Sequence, residues 1–368
     1  MKNQFKNNPN LIPLLKSIDF ELDMLLNYKK SVNKKLSKSN KSCLNIMEIC
    51  GTHTVSILKH GFRQYFENRI NFLSGPGCPV CVTSQNDIDK VINLAQKDVE
   101  IATFGDLVKV PGTESSLEKE VAKGARVHVL YNPLDCIELA KSTTKEIVFI
   151  AVGFETTIPV IASLVLDTKE KGINNISILS LVKTLPNTLK FLLENLDLNL
   201  DGFICPGHVS VIIGEQPYNI LADKYAIPSV IAGFEPVDLA LGIESLVSQI
   251  RSGKAIVDNR YTRMVNKEGS PASLELIDSV FSQADVSWRG FGEIPNSGLK
   301  LKKMFENFDV EKKFDLTVKN SKKPKDCICG EIITGNKNPR DCKLFGEVCT
   351  PDNPIGPCMV SFEGACSA

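Results

Sequence analysis

The sequence predicts an α/β protein with two similar parallel-sheet domains that face each other across a cleft, followed by a small cysteine-rich domain. Three observations lead to this prediction. From about residue 45 onward, short apolar strands alternate with helical patterns, which is typical of parallel sheets covered by helices. Two kinds of turn recur in the same order along the chain. Six of the twelve cysteines fall within the last 42 residues, from Cys327 onward.

Length and charge restrict the possible classes of protein. A chain of 368 residues predicts two or three domains, and a hydrophobic content of 43% is ordinary for a globular protein. The 43 basic and 43 acidic residues cancel, so net charge favours neither nucleic acid nor an anionic membrane as a partner.

The expected cellular compartment is inferred from two kinds of targeting segment, transmembrane runs and signal peptides. No uninterrupted apolar run reaches transmembrane length, and the polar residues 1–8 contain no apolar signal core. We therefore expect a cytoplasmic protein. In that compartment twelve cysteines indicate metal binding or redox chemistry rather than structural disulfides.

The first element is a helical segment within residues 1–44, where apolar residues recur at helical spacing. These residues are Leu11, Leu14, Leu15, Ile18, Leu22, Leu25 and Leu26. Strands are then predicted at 46–49, 70–73, 101–104, 127–131, 147–152, 176–181, 202–204 and 229–232. Helices are predicted to begin near residues 54, 84, 116, 134, 157, 185, 216 and 236. We place one α/β domain at 45–145 and the second at 146–255.

A repeated order of turns suggests internal duplication. A strand followed by a Gly/Thr turn occurs at 46–54 and again at 147–157, and a strand followed by a Pro-Gly turn occurs at 72–81 and again at 203–210. The alternative is that Gly, Pro and Thr are simply common at such turns.

The remainder, 256–368, has a different character. The stretch 287–292 contains the only tryptophan and matches neither a helical nor a strand period, so we expect irregular structure there. Residues 312–325 contain many charged side chains, and we predict that they form a connecting arm. A cysteine-rich domain is predicted from about residue 310 to the end, and its scarce apolar residues mean that it needs a metal or a cluster for stability.

The soft ligands in this tail are all sulfur, because no histidine follows His208. Sets of thiolate ligands suit zinc or an iron–sulfur cluster. Zinc sites usually show closely paired cysteines, whereas Cys342 and Cys349 are seven positions apart and Cys349 and Cys366 are seventeen apart. The spacing therefore favours a four-iron cluster, with at least two of the six cysteines in excess. An excess cysteine can simply be a packing residue.

Two turns near the front of the chain carry further thiols. The motif Gly-Pro-Gly-Cys-Pro-Val-Cys at 75–81 places Cys78 and Cys81 between a strand and a helix, and Cys50 follows the preceding strand. Ligands bind at this edge of an open α/β sheet. A Cys-x-x-Cys beside a helix start can cycle to a disulfide, and the same thiolates can alternatively bind a soft metal.

Three other polar residues occupy similar turns. His53 and His208 can act as ligands or proton donors, or they can stabilise their turns. Glu155 can cap a helix start or direct a carboxylate into the cleft. The remaining cysteines, Cys43, Cys136 and Cys205, have no partner motif and are interpreted as structural.

Together these motifs resemble those of the HypD family of nickel–iron hydrogenase maturation factors. The matching motifs are Cys-Gly-Thr-His-Thr at 50–54, the turn at 75–81, Thr-Phe-Gly-Asp at 103–106, Gly-Phe-Glu-Thr-Thr at 153–157, Pro-Gly-His-Val-Ser at 206–210, Gly-Phe-Glu-Pro at 233–236, Trp-Arg-Gly at 288–290, Phe-Gly at 345–346, Cys-Met-Val-Ser at 358–361 and Glu-Gly-Ala-Cys at 363–366. The resemblance runs from about residue 45 to the end.

The resemblance implies two α/β domains and a third domain with a 4Fe-4S cluster. It implies a scaffold on which iron receives two cyanides and one carbon monoxide, with the chaperone HypC and the cyanide donor HypE as partners and the hydrogenase large subunit as the final recipient. It assigns Cys50 as the iron ligand shared with HypC, and Cys78 and Cys81 to thiol redox. The family's cluster spacing falls on Cys327, Cys342, Cys349 and Cys366, with Cys329 as the alternative first ligand.

The resulting hypothesis is an assembly factor in which the cluster supplies electrons to the Cys78–Cys81 pair while Cys50 holds iron. His53, His208 and Glu155 would adjust protonation around it. Two alternatives stay open at this stage. One is a cluster-dependent disulfide reductase that works without partner proteins, and the other is a docking scaffold whose cysteines only bind structural metal.

Overall fold

The computed structural model describes residues 8–36, 43–196 and 198–368. The polar N-terminus, apart from Asn8, and residues 37–42 of the predicted N-terminal segment lie outside this part of the chain. Within it, no helix is both long and apolar enough to cross a membrane.

The eight predicted strands are confirmed, and three further strands follow them. In chain order the strands are β1 Leu44–Glu48, β2 Ile70–Ser74, β3 Val99–Thr103, β4 Arg126–Val129, β5 Glu146–Ala151, β6 Ile176–Ser180, β7 Gly202–Cys205, β8 Ser229–Ile231, β9 Val257–Asn259, β10 Phe281–Trp288 and β11 Gly292–Leu301.

The helices alternate with the strands as the pattern predicts. They are α1 Leu11–Leu36, α2 Gly51–Lys59, α3 Phe62–Tyr65, α4 Pro79–Val82, α5 Gln85–Ala95, α6 Leu117–Ala122, α7 Cys136–Ser142, α8 Ile158–Glu170, α9 Leu185–Asn195, α10 Gly207–Ile213, α11 Asn219–Asp223, α12 Pro236–Ser252, α13 Pro271–Val280, α14 Val310–Lys313 and α15 Cys329–Ile333. Short 3₁₀ helices lie at Gly105–Leu107, Pro133–Asp135, Gln216–Tyr218, Lys303–Phe308, Pro339–Asp341 and Pro357–Met359.

Two parallel sheets form the framework, which confirms the predicted α/β class. The first sheet has the strand order β2-β1-β7-β8-β9 and the second has the order β4-β3-β5-β6. All pairs within both sheets are parallel. The carboxyl ends of the strands in each sheet therefore lie at one edge, where ligands bind in such folds.

The strand pairing differs from a simple division at residue 145. The chain leaves the first sheet after β2, builds the second sheet from β3 to β6, and then returns, because β7 pairs with β1 through Met47 and Phe203. Residues 99–180 thus form one sheet, and residues 44–74 combine with 202–259 in the other. The second Pro-Gly turn follows β7, so it belongs to the same sheet as the first. The repeated turns do not map as one pair on each sheet.

The expectation of irregular structure at 287–292 was wrong. Trp288 is the last residue of β10 and Gly292 the first of β11, and the two strands form an antiparallel hairpin. Gly290 and Gly292 have φ angles of +86° and +79°, which glycine adopts readily. The Trp288 ring is buried and its Nε1–H donates to Ser297 Oγ at 2.8 Å. Tertiary packing thus imposes strand structure on a stretch that has no clear period.

Three buried clusters hold these layers together. One face of the first sheet is covered by α1 and α12, whose leucines and isoleucines pack on β1 and β2. The outer face of the second sheet packs against α7, α8 and the hairpin. The central core lies between the sheets and extends into the C-terminal tail, where it includes Cys329 and Cys358. The tail is therefore packed onto both sheets at the edge that carries the Gly/Thr and Pro-Gly turns.

Candidate functional site

A cleft of about 230 Å³ lies where the carboxyl ends of the two sheets meet. The first sheet lines it with the turns that follow β1, β2 and β7, and the second sheet with the turns that follow β3 and β5. Its lining residues include Cys50, Thr52, Asp106, Thr156, His208 and Glu363. Cys50 is the only cysteine that lines this cleft within the described part of the chain. The predicted meeting of turns at one cleft is thus present.

Cys50 directly precedes α2 and is only 7% exposed. Burial is the main cause that raises the pKa of its thiol to about 12, and the neighbouring Glu363 raises it further. Cys50 therefore keeps its proton at neutral pH in the metal-free protein, and a bound metal would have to displace that proton.

The turn that carries Cys50 touches the turn that carries Cys78. The Gly51 amide donates to the Gly77 carbonyl oxygen at 3.0 Å, and a Cβ atom at residue 77 would collide with the backbone of Ile49 and Cys50. Glycine at 77 is thus the reason that the two turns can approach so closely.

Cys78 and Cys81 are joined by a disulfide, with their Cα atoms 5.3 Å apart. Both are buried, at 5% and 1% exposure, and neither lines the cleft itself. On the far side, Cys81 Sγ lies 3.9 Å from the carbonyl oxygen of Pro357 in the tail. The disulfide therefore lies between the cleft and the cysteine-rich tail.

Two carboxylates that the sequence analysis left without a role help to close the cleft. Thr52 Oγ1 donates to Glu363 Oε1 at 2.6 Å, and Ser361 Oγ donates to Asp106 Oδ2 at 2.7 Å. Burial, with a smaller contribution from Asp106, raises the pKa of Glu363. These bonds hold the tail against the turns of both sheets, and only the fold brings residues so distant in sequence together.

Glu48, the last residue of β1, is a fully buried acid behind Cys50. Thr54 Oγ1 donates to Glu48 Oε1 at 2.6 Å, and the Cys50 amide donates to Glu48 Oε2 at 3.3 Å. Burial raises the pKa of Glu48 to about 8. The residue is missed by sequence reasoning because it occupies a position that the strand pattern assigns to the core.

The two histidines have different surroundings. His208 lines the cleft and stacks on Phe234 with ring centroids 4.0 Å apart. His53 is fully buried outside the cleft lining, and its Nε2 lies 3.2 and 3.1 Å from the carbonyl oxygens of Ala232 and Gly233. Burial lowers the pKa of His53 to about 4. This geometry gives His53 a part in holding the turn after β8.

Glu155 is also buried outside the cleft lining. Its Oε1 accepts a hydrogen bond from the Leu185 amide at 2.9 Å, at the start of α9, while Oε2 has no partner among the described atoms. Burial raises the pKa of Glu155 to about 7. Its neighbours Gly153, Phe154, Thr156 and Thr157 line the cleft.

A second pocket lies in the tail, and five cysteines line it. They are Cys327, Cys329, Cys342, Cys349 and Cys366. Within the described residues, no three cysteine, histidine or acidic side chains are placed to share one metal ion. Thiolates around one pocket are the ligand type of iron–sulfur clusters and also of zinc.

The sixth tail cysteine, Cys358, is fully buried beside this pocket. The Cys329 thiol lies within hydrogen-bonding reach of Cys327 on one side and of Cys358 on the other. Cys358 also follows Pro357, whose carbonyl approaches Cys81. Cys327, Cys329 and Cys358 are thus neighbouring thiols, and the residue before Cys358 contacts the Cys78–Cys81 disulfide. Spacing alone does not reveal this connection.

Arg289 lies in the same region and is only 6% exposed. Its Nε donates to the Thr83 carbonyl oxygen at 3.0 Å and one terminal nitrogen donates to Gln85 Oε1 at 2.9 Å. The other terminal nitrogen has no partner among the described atoms. The guanidinium is thus held at the end of α4, and it interacts electrostatically with the thiols of Cys327, Cys329 and Cys358.

The cysteines that were interpreted as structural lie away from both pockets. Cys136 and Cys205 are fully buried, and burial raises the pKa of each thiol. Cys43 is partly buried immediately before β1.

Comparison with known proteins gives a consistent family. Residues 24–368 match the HypD family model, described as the hydrogenase formation hypA family. A putative hydrogenase expression/formation protein of Methanocaldococcus jannaschii is 44% identical over 336 residues, which cover 91% of this chain and 93% of the relative. The hydrogenase maturation factors HypD of Cupriavidus necator and Rhodobacter capsulatus are each 40% identical, over 88% of this chain and 88% of each relative.

The contact at Gly77 gives the first testable prediction. Gly77→Ala should lower the free energy of unfolding by about 2 kcal/mol, because backbone rather than a flexible side chain opposes the added methyl group. Gly105→Ala is the matched control, since its Cβ would come no closer than 3.4 Å to Val129. Urea unfolding followed by circular dichroism measures both, and equal stabilities would contradict the proposed contact.

The buried His53 gives a prediction about pH. Its pKa is about 4 in the folded protein and 6.5 when exposed, so the unfolded chain binds the additional proton. Neutral His53 is therefore compatible with the folded state above pH 6.5. As the pH falls from 6.5 towards 4, protonation of the unfolded chain lowers the free energy of unfolding. Glu48, with its raised pKa, acts in the opposite direction in the same range.

The comparison of wild type with His53→Gln isolates the histidine, because both proteins retain Glu48. Between neutral pH and about pH 5, the stability advantage of the wild type should shrink by about 2 kcal/mol. Urea unfolding at the two pH values measures this change. An advantage that stays constant with pH would show that His53 is not held neutral by burial.

Proposed function

The chain belongs to the HypD family of hydrogenase maturation factors, and from this premise we propose that it holds the iron of a nickel–iron hydrogenase centre while two cyanides and one carbon monoxide are added. One observation carries the proposal. Cys50 is the single cysteine directed to a cleft built from both sheets, within the described residues. The iron complex is the cargo of this site, and the hydrogenase large subunit is its destination.

At Cys50 the protein supplies a soft ligand in a sheltered place. The thiol gives up its proton when iron binds, and the resulting thiolate suits low-spin iron with strong-field diatomic ligands. Apolar residues such as Val80 and Phe154 line the cleft beside the polar groups, which limits the access of water. His208 lies at its exposed side. A HypC-type chaperone would contribute a second thiolate from that side, and a HypE-type protein would donate cyanide.

Thiol redox is the second part of the proposal. Cys327, Cys342, Cys349 and Cys366 would hold a 4Fe-4S cluster, which supplies single electrons when bound. Cys329 lies within hydrogen-bonding reach of both Cys327 and Cys358 and lines the same pocket, so it is the alternative first ligand. Reduction of the Cys78–Cys81 disulfide takes two electrons and two protons and yields two thiols. The position of the disulfide, next to both Cys50 and the tail, supports its use in iron loading or ligand delivery.

The structure bears on the two alternative functions. A reductase that acts on external disulfides needs an exposed dithiol, whereas Cys78 and Cys81 are 5% and 1% exposed. A docking scaffold that only binds structural metal gives no use to a disulfide placed against the iron cleft. Both observations favour the assembly factor.

The role of Cys50 is tested by Cys50→Ala. Infrared spectroscopy of the anaerobically purified complex with a HypC-type chaperone should show cyanide and carbonyl stretches for the wild type and none for the variant, because the iron ligand is gone. The tail iron and sulfide should stay unchanged. Cys205→Ala is the matched control, a buried thiol of the same sheet that does not line the cleft. Stretches that persist in Cys50→Ala would overturn the assignment.

The tail site is tested by Cys349→Ala. The variant should lose most of its bound iron and sulfide and its brown absorption, and residues 327–368 should become accessible to protease, because this segment depends on the cluster for its stability. Cys136→Ala removes a buried thiol elsewhere and should change neither property. Full iron and sulfide content in Cys349→Ala would show that the ligand set is wrong.

A further inference from the structure

A groove on the outside of the tail leads to the cysteine pocket. Its lining includes Arg289, Lys323, Cys327, Cys329 and Glu331. Cys327 and Cys329 line the inner cysteine pocket as well, so these two residues form a common wall. A molecule seated in the groove therefore lies against Cys327, one of the proposed cluster ligands, and against Cys329.

The chain segment 319–343, which contributes Lys323, Cys327, Cys329 and Glu331 to this groove, is basic. Residues 319–343 contain seven basic and three acidic residues, although the whole chain has no net charge. The basic residues, all exposed, are Lys319, Lys322, Lys323, Lys325, Lys337, Arg340 and Lys343. Within the described part of the chain, none of these seven side chains forms a salt bridge with an acidic residue. Their charge is therefore available to a partner.

The basic segment is held in place by groups other than its lysine side chains. The Lys322 amide donates to Thr113 Oγ1 at 2.8 Å, and Thr113 Oγ1 donates to the Lys322 carbonyl oxygen at 3.3 Å. Ser321 Oγ donates to Asp89 Oδ2 at 2.6 Å. The fold thus fixes the backbone and leaves the ammonium groups to solvent, an arrangement that suits a preformed docking surface.

We propose that this basic surface is the docking site of an acidic electron-carrier protein, which rests on the proposed thiol redox function. Charge complementarity selects the partner. Lys323 lines the groove, and the six other exposed basic residues of 319–343 lie in the same chain segment, which suits the acidic surface of a protein better than a small reductant. The carrier gives up one electron at each visit. Two visits and two protons from water convert the Cys78–Cys81 disulfide to two thiols and leave two oxidised carriers.

The test uses flavodoxin hydroquinone, an acidic one-electron donor whose oxidation to the blue semiquinone is visible. It is mixed with the cluster-loaded protein in anaerobic stopped flow at several salt concentrations. The double variant Lys322→Glu/Lys323→Glu is compared with Lys254→Glu/Lys267→Glu, which makes the same change in net charge at exposed lysines outside the groove. A titration with oxidised flavodoxin measures binding alone, and dithionite serves as a small reductant.

At low ionic strength the groove variant should be reduced about tenfold more slowly than the wild type and bind flavodoxin about tenfold more weakly. The difference should shrink as salt is added. The control variant should match the wild type, and dithionite should reduce all three proteins equally. These results would support the docking surface.

Wild-type rates and affinities in the groove variant, or equal losses in the control, would overturn it. Tighter binding of an oligonucleotide than of flavodoxin, lost in the groove variant, would also overturn it, since the surface would then serve nucleic acid. If dithionite fails to reduce even the wild type, the proposed electron path is wrong. The binding titration then decides on the docking surface independently.

Discussion

The position of β1 between β2 and β7 is the constraint on which the candidate site depends. β1 ends at Glu48 and is followed by Cys50, so its two neighbours place the Cys78 turn on one side and the His208 turn on the other. Parallel pairing puts all three turns at the same edge. The second sheet then needs only to face this edge to complete the cleft, and its turns after β3 and β5 do so.

The tail is the second structural requirement, because it closes the cleft and also contains the cysteine pocket. Glu363 bonds to Thr52 of the first sheet, and Ser361 bonds to Asp106 of the second. Between the two pockets, Pro357 approaches Cys81. A segment with little apolar core of its own is thus attached at several points to the cleft that contains Cys50. Loss of order in the tail would therefore reach Cys50 through contacts that the structure specifies.

The elements that local patterns can predict were found, and those that depend on distant contacts were not. Strand β1 and its cysteine turn follow from an apolar run and a Gly/Thr turn. The return of β7 to the first sheet depends on distant contacts. Met47 pairs with Phe203, and the Asn45 amide donates to Asp201, which is 156 residues away in sequence. Strand β10 lacks a clear period because only its ends are buried. Arg289 and Glu363 gain their roles from partners about 200 or more residues away.

Burial also determines the protonation of the titratable side chains at the cleft. Burial raises the pKa of Cys50 to about 12 and that of Glu48 to about 8, and it raises the pKa of Glu363 as well. Each of these groups is therefore protonated more readily than it would be in water, and the metal-free cleft avoids a cluster of buried negative charges. A divalent cation reverses this balance, because its charge stabilises the thiolate of Cys50. Under the proposed function, iron binding at Cys50 is coupled to loss of the thiol proton, because burial in the cleft makes the bare thiolate unfavourable without a cation.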